Sequence, residues 1–209
     1  MRSSTMVRIT ARTESYADLS EGIGYEHQDL LDSREEQPVK KTGALTHVIH
    51  PFPPLFDCDS RILILGSFPS VKSREQEFFY GHPQNRFWKV MARIHGEEVP
   101  VTVEEKKKML LKHHIALWDV ISSCDIKGSS DSSITNVTAN DLSTVLSGAK
   151  IERITVNGKT AEKYYIKYIE QKIRIKAGCL PSTSPANAAW NIERLAEAWE
   201  QGLYGERKL

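Results

Sequence analysis

Four short apolar runs, each followed by a segment long enough to hold a helix, place the strongest limits on how this chain folds. The runs cover residues 61–65, 115–118, 153–156 and 173–179. Strands that alternate with helices form βαβ crossovers, which set the strands parallel in one sheet and place helices on both faces. We therefore expect an α/β protein with three α/β/α layers and a central four-stranded parallel sheet.

Helical periodicity supports the layers on either side of that sheet. It predicts helices over residues 85–95, 103–112, 140–146, 160–171 and 185–203. The last one has the clearest apolar stripe, with one residue every three or four positions. The members of this stripe are Ala188, Ile192, Leu195, Trp199 and Leu203.

The division of the chain follows from composition. A length of 209 residues with 40% hydrophobic content supports one domain with a full core. Residues 1–43 mix polar and charged side chains without a sustained hydrophobic period. Such segments bury too little apolar surface to fold alone, so we expect a flexible tail over 1–43 and the domain over 44–209.

Cysteine and charge usage exclude several classes of protein. Cys58, Cys124 and Cys179 form no C-x-x-C spacing and are too few for the four ligands of an iron–sulfur cluster. No run of eighteen apolar residues is long enough to span a membrane. The net charge of +1 neither supports nor excludes a nucleic-acid partner. We expect a cytoplasmic monomer without metal, cofactor or membrane contact.

Two strings of small and polar residues follow the first and last apolar runs. Residues 66–70 read GSFPS and residues 180–187 read LPSTSPAN. Both lie at carboxyl ends of predicted parallel strands, the edge where open α/β sheets build their sites. Between them, residues 78–88 read FFYGHPQNRFW, which is rich in aromatic and turn-forming residues. Together the three strings predict a pocket for a flat ring.

A phosphate-binding P-loop is the rival interpretation of the first string, because Lys72 and Ser73 follow it. That motif requires a glycine directly before the lysine, and Val71 occupies the place. The dinucleotide fingerprint G-x-G-x-x-G is also missing. A nucleoside triphosphatase is therefore not expected.

The three strings, in this order, resemble the uracil-DNA glycosylase superfamily from about Ile49 to the C-terminus. GSFPS is similar to the hypoxanthine (DNA-deoxyinosine) branch, whereas residues 82–90, HPQNRFWKV, are similar to the mismatch-specific uracil/thymine enzymes. The resemblance implies a base-excision repair glycosylase that acts on DNA containing deaminated bases. It implies that hypoxanthine is preferred, with uracil, xanthine or mismatch specificity as the alternative.

The resemblance also implies where the catalytic residue lies. Mismatch-specific relatives carry a water-positioning asparagine at the place of Phe68, and phenylalanine has neither donor nor acceptor for that task. In the deoxyinosine branch the catalytic role falls on the asparagine of the Asn-Arg-Phe-Trp string, which is Asn85 here. A helix N-cap at Asn85 is the alternative, and the two roles are compatible.

Base binding is expected at the edge formed by the first two strands. The turn of Gly66, Ser67 and Phe68 offers backbone N–H groups to the base, and Tyr80 is the first choice for a stacking wall, with Phe68 second. Asp119 follows the second run, where related enzymes place a base-reading residue. Its carboxylate suits the ring N1–H of hypoxanthine, and the alternative is a strand-end cap.

DNA contacts are expected at the start of the last helix. Ser184 suits an N-cap and Pro185 the first turn, so free N–H groups and hydroxyls there are suited to a phosphate. The alternative is an ordinary capped helix. The residues expected to contact DNA are Ser70, Ser182, Thr183, Ser184, Pro185 and Asn187.

Two classes of function follow. No lysine lies inside either string, Lys72 being the nearest, so we expect hydrolysis without a lyase step. No histidine–aspartate–serine arrangement is apparent. Because Phe68 replaces the usual asparagine, a DNA-binding module without activity is the alternative from another class. Four further polar residues receive no role from the sequence: Ser132, Ser133, Asn136 and Asn140.

Overall fold

The computed structural model describes residues 44–205 and confirms the α/β architecture. The predicted tail at 1–43 lies outside the described residues. The strands in this range are β1 (Thr46–Ile49), β2 (Ile62–Gly66), β3 (Ile115–Asp119), β4 (Ile121–Ile126), β5 (Thr135–Ala139), β6 (Arg153–Asn157) and β7 (Gly178–Leu180). The central sheet has the order β3-β2-β6-β7, and its neighbouring strands are all parallel.

A second sheet, which the sequence did not predict, packs beside the first. Its order is β1-β4-β5, and both pairs are antiparallel. β4 starts two residues after the end of β3, so a single chain segment passes from one sheet into the other. β1 and β5 are mostly exposed and β4 is only partly buried, so none of the three forms an apolar run.

The α-helices are α1 (Val71–Glu75), α2 (Phe87–His95), α3 (Val103–Lys112), α4 (Ser143–Gly148), α5 (Lys159–Tyr165), α6 (Gln171–Ile173) and α7 (Ile192–Tyr204). A π-helical segment, Ile166–Glu170, joins α5 to α6, and a short 3-10 helix covers Asp131–Ser133. The prediction for α3 matches residue for residue, because a Thr102–Glu105 capping box marks its start. The strand predicted over 173–179 begins later, at Gly178, because Ile173 ends α6 and Arg174 turns the chain with φ +58°.

The last helix also begins later than predicted. The side chain of Asn191 accepts a hydrogen bond from the Arg194 N–H at 2.9 Å and caps α7 there. Upstream, the Arg86 guanidinium donates to the carbonyl oxygens of Ser184 at 2.6 Å and Asn187 at 3.0 Å, and also to that of Trp190. Because these carbonyl oxygens all accept hydrogen bonds from the planar Arg86 guanidinium, residues 184–190 form a folded loop rather than a helix. The predicted start at Pro185 is therefore wrong.

The core consists of two apolar clusters on the two faces of the central sheet. One contains Ile64 and Leu117 with residues of α2 and α7, such as Met91 and Trp199. The other contains Leu63, Leu65 and Val156 with residues of α4 and α5, such as Val145 and Tyr165. β2 is buried along its whole length because helices cover it from both sides. Within residues 44–205, every helix is too short or too polar to cross a membrane.

Candidate active site

A cleft of about 620 Å³ opens at the carboxyl ends of the parallel strands. It collects residues from β2, β3 and β6, and from the loops before α2 and α7. Thr183 and Asn187 are the two predicted site residues that do not line it. The predicted residues that line it are Gly66, Ser67, Phe68, Ser70, Tyr80, Asn85, Asp119, Ser182, Ser184 and Pro185.

Gly66, the last residue of β2, lets two polar groups approach the backbone at the floor of the cleft. A Cβ atom added there would lie 2.2 Å from Asp119 Oδ1 and 3.2 Å from the Tyr80 hydroxyl. The first distance is far below a van der Waals contact, so any larger side chain displaces the carboxylate. Glycine is needed here for space rather than for backbone freedom.

Asp119 is held by a histidine that the sequence did not single out. The Nε2 atom of His50 lies 2.8 Å from Asp119 Oδ2, and the two side chains are 3% and 6% exposed. Asn140 Nδ2 donates to the Asp119 carbonyl oxygen at 2.9 Å, which gives that asparagine a structural role. The sequence did not predict this histidine–aspartate pair, since only a histidine–aspartate–serine arrangement was considered. No local signal joins two residues 69 positions apart.

Tyr80 lies in the cleft wall with one ring face covered. Its ring stacks on Phe87 with centroids 4.0 Å apart and 21° between the planes. Its hydroxyl is buried and has no hydrogen-bond partner within residues 44–205. Burial raises the pKa of Tyr80 far above its usual range, and the negative charge of Asp119 adds to the rise. The polar side chain of Asn157 lies nearby and acts in the opposite direction. The phenol therefore stays protonated and is available as a donor.

Phe68 is buried beneath the cleft, with 7% of its surface exposed. The His50 ring meets it edge-on at 6.1 Å between centroids, and the Arg74 guanidinium lies 5.9 Å from its centroid. Arg74 also donates to the Pro69 carbonyl oxygen at 3.2 Å, which fixes the turn. Phe68 therefore belongs to the packing of the floor as well as to its lining.

Asn85 lines the cleft at the start of α2. Its Oδ1 atom accepts a hydrogen bond from the Phe87 N–H at 3.0 Å, which satisfies one free donor at the start of α2. Its Nδ2 atom has no partner among residues 44–205. The cap-like contact and a free donor thus coexist in one side chain.

Thr183 and Asn187 hold the second string in place through internal hydrogen bonds. Thr183 is completely buried, and Asn157 at the end of β6 donates to its hydroxyl at 2.9 Å and accepts from its N–H at 3.0 Å. Asn187 Nδ2 donates to the Ser182 carbonyl oxygen at 2.9 Å. Predicting a phosphate contact for Thr183 is wrong, because its hydroxyl is enclosed. A polar residue directly after the third apolar run was the missed signal for Asn157.

The serine-rich loop before β5 forms one rim of the cleft. Ser67 Oγ donates to Asp131 Oδ2 at 3.1 Å. Loss of hydration raises the pKa of the Asp131 carboxyl, the charge of Asp119 adds to the rise, and hydrogen bonds from Ser67 and Thr160 oppose it. Ser132 lines the same rim.

The remaining polar residues of this region have structural partners. Ser70 Oγ accepts from the Ser73 N–H at 3.2 Å and caps α1, and Ser133 Oγ donates to the Ser130 carbonyl oxygen at 2.7 Å. Asn136 donates to Asp125, outside the cleft. Among residues 44–205, no three His, Cys, Asp or Glu side chains gather as ligands for a metal ion.

Residues 53–202 match the family model of the uracil DNA glycosylase superfamily. The chain belongs to the uracil DNA glycosylase superfamily. Among curated proteins, it is 36% identical to the hypoxanthine DNA glycosylase of Methanosarcina acetivorans over 151 residues, which are 71% of this chain and 94% of that protein. It is 33% identical to the hypoxanthine DNA glycosylase of Methanosarcina barkeri over 115 residues, covering 54% of this chain and 73% of that protein.

A solved structure supports the placement of this superfamily member. It is a solution NMR structure of a Methanosarcina acetivorans protein described as a candidate uracil DNA glycosylase. The TM-score is 0.61 at 35% identity, over 71% of this chain and 92% of that one. The glycosylase fold therefore extends over most of the described residues.

Proposed function

We propose that this superfamily member is a DNA glycosylase of base-excision repair that hydrolyses the N-glycosidic bond of a deaminated base, with hypoxanthine preferred. Two relatives carry the name hypoxanthine DNA glycosylase. The observation that carries the proposal is the cleft in which the free amide of Asn85 and the carboxylate of Asp119 line one space. A flipped base needs such an enclosed site with convergent polar groups.

The proposed chemistry places Asn85 at the departing base. Breaking the glycosidic bond leaves positive charge on the sugar and negative charge on the base, so a preorganised donor at the base lowers the barrier. Because the Asn85 oxygen is occupied by the Phe87 N–H, its amide nitrogen is the atom left to donate. The carboxylate of Asp131 lines the same cleft and favours positive charge on the sugar.

Hydrolysis without a lyase step is the proposed outcome. Schiff-base chemistry requires an amine at the sugar. Among residues 44–205, no lysine lines the cleft, and Lys72 Nζ pairs with Glu75 at 2.7 Å. Water is then the nucleophile and an abasic site the product.

DNA contacts are proposed at the cleft rim, where Ser70, Ser182, Ser184 and Pro185 lie together. A cytoplasmic monomer, a domain over 44–209 and a dispensable tail over 1–43 stay predictions from the sequence. Deleting the tail and measuring excision and melting temperature tests the last of these.

Labelled oligonucleotides that carry hypoxanthine, uracil or xanthine, incubated with the protein and then treated with alkali, test the function. Cleavage is expected first at hypoxanthine. Asn85→Ala should lower the single-turnover rate by about two to three powers of ten, the scale for one preorganised donor. A purely structural cap predicts a stability loss of about 1 kcal/mol with the rate retained. Lesion binding without cleavage by the wild type favours the non-catalytic module.

A further inference from the structure

The buried histidine beside Asp119 is a hydrogen-bond donor with a fixed direction. A carboxylate oxygen only accepts, so the proton at the 2.8 Å contact must sit on His50 Nε2. His50 Nδ1 is buried and has no partner among residues 44–205. Three aromatic rings pack around the His50 ring, with centroid-to-centroid distances of 4.4 Å (Phe52), 6.1 Å (Phe68) and 6.3 Å (Phe79). Moving the proton to Nδ1 would bury an N–H without an acceptor, which is costly.

The other carboxylate oxygen of Asp119 lies at the floor of the cleft, over Gly66. Asp119 Oδ1 occupies the space above Gly66, beside the Tyr80 hydroxyl, and the residue lines the cleft. With Oδ2 held by His50, the carboxylate is not free to rotate away. The floor of the cleft therefore presents an acceptor at a fixed position.

Deamination of adenine or cytosine changes the base in a way that a fixed acceptor detects. Adenine carries a bare ring nitrogen next to an amino group, whereas hypoxanthine carries a ring N–H next to a carbonyl. The same exchange turns cytosine into uracil. A buried polar site that is built to pair with an N–H rejects a base lacking it strongly, because the site's own group is then left unpaired.

We propose that His50 is a positioning residue that holds Asp119 as a permanent acceptor, so that the site takes bases carrying the ring N–H that deamination of adenine or cytosine creates. The inference rests on the proposed glycosylase function and deepens it. His50 acts through Asp119 and does not itself line the cleft. His50 fixes Asp119 as a hydrogen-bond acceptor, and Asp119 makes the contact with the base.

Asp119→Asn tests whether excision requires a hydrogen-bond acceptor at this position. His50 Nε2–H should hold the amide oxygen of the new side chain and leave its NH₂ group toward the cleft, so that the acceptor becomes a donor. Single-turnover excision of hypoxanthine should fall by about 100-fold or more. Adding His50→Phe frees the amide to turn its oxygen inward, and phenylalanine suits the aromatic surroundings. The double variant should recover about tenfold relative to Asp119→Asn alone.

A merely structural role for His50 predicts the opposite order, since a second core change would make the double variant slower. A double variant as slow as Asp119→Asn, or slower, overturns the inference. The matched control is the exposed pair His47 and Asp125, whose contact is 2.7 Å long and lies outside the cleft lining. His47→Phe with Asp125→Asn should leave excision within about twofold of wild type.

The wild-type protein offers a second measurement if a variant does not fold. Deoxynebularine carries purine, which has a bare N1 and is smaller than hypoxanthine, so steric exclusion does not explain its rejection. After correction for acid lability, its excision should be at least about 100-fold slower than that of deoxyinosine. A difference below tenfold overturns the inference. If the wild type excises no hypoxanthine at all, the proposed function fails as well, and the two failures are distinguishable.

Discussion

Two histidines that lie three residues apart near the start of the domain, His47 and His50, each pair with an aspartate, yet the two pairs lie in opposite environments. His47 and Asp125 are 2.7 Å apart with side chains 56% and 20% exposed. His50 and Asp119 are 2.8 Å apart with side chains 3% and 6% exposed. Residue types and distances are nearly the same, so burial alone makes one pair a surface contact and the other a component of the cleft floor.

The first pair arises from strand register and the second from the meeting of two sheets. His47 lies directly opposite Asp125 in the antiparallel pairing of β1 with β4, where water screens the contact. His50 lies just past the end of β1, and its backbone N–H donates to the Ser122 carbonyl oxygen at 2.7 Å. That bond brings its ring to the edge of the central sheet. Breaking a buried pair leaves an uncompensated charge, so its removal has the larger effect.

The largest effect is expected from displacing the buried pair without changing either member. Gly66→Ala places a methyl group 2.2 Å from the present position of Asp119 Oδ1, so the carboxylate must move. Excision of hypoxanthine should fall by about 100-fold or more, since misplacing a site group by roughly 1 Å costs on that order. Gly178→Ala, where nothing lies within 4 Å of the added atom, is the matched control. Equal rates in the two variants would show that Asp119 tolerates relocation.

Replacing the histidines one at a time compares the pairs directly. His50→Phe removes a donor to a buried carboxylate, an interaction of about 1.5–3 kcal/mol, so excision should fall roughly 10- to 100-fold. His47→Phe should leave the rate unchanged, because its partner is hydrated. Single-turnover assays beside melting curves check both. A similar loss in both variants would remove the distinction between buried and exposed pairs.

A smaller effect is expected from the loop before α7, which forms part of the cleft rim. The Arg86 guanidinium donates to four carbonyl oxygens, those of Thr183, Ser184, Asn187 and Trp190. Arg86→Lys loses the planar fork and should weaken binding to lesion DNA by about 5- to 10-fold through a looser rim. Arg93→Lys, at an exposed pair with Glu193, is the control. Unchanged affinity on titration would show that the rim does not depend on this fork.

The smallest effect belongs to the exposed pair and depends on pH. Hydrogen bonds from Asn136 and His47 lower the pKa of Asp125 below its usual value. A lowered carboxyl pKa contributes stability above the unfolded pKa of about 4, and this is lost as pH falls through the folded value. Asp125→Asn should therefore lower the melting temperature slightly at pH 7, and this deficit should shrink as the pH falls below about 4. A deficit that persists in acid would mean that the loss is not electrostatic.

Local patterns predicted those parts of the fold whose causes are local. The apolar runs of β2, β3 and β6 were predicted, as was α3, because each is encoded within about ten residues. The antiparallel sheet was missed, since its strands are half-exposed and gain their stability by pairing with each other. The start of α7 was misplaced because Arg86, about a hundred positions earlier, holds the preceding loop.

The sequence by itself determined the parallel sheet and the edge at which the cleft opens, and most of the predicted site residues line that cleft. Motifs at the ends of apolar runs sufficed for that, since strand ends in a parallel sheet must meet at one edge. Only the tertiary structure decided which polar residues face the cleft and which hold it together. Thr183 turned inward to Asn157, and His50 reached Asp119 across 69 residues. Buried polar groups need hydrogen-bond partners because water does not reach them, and which partners they have depends on how the sheets pack together.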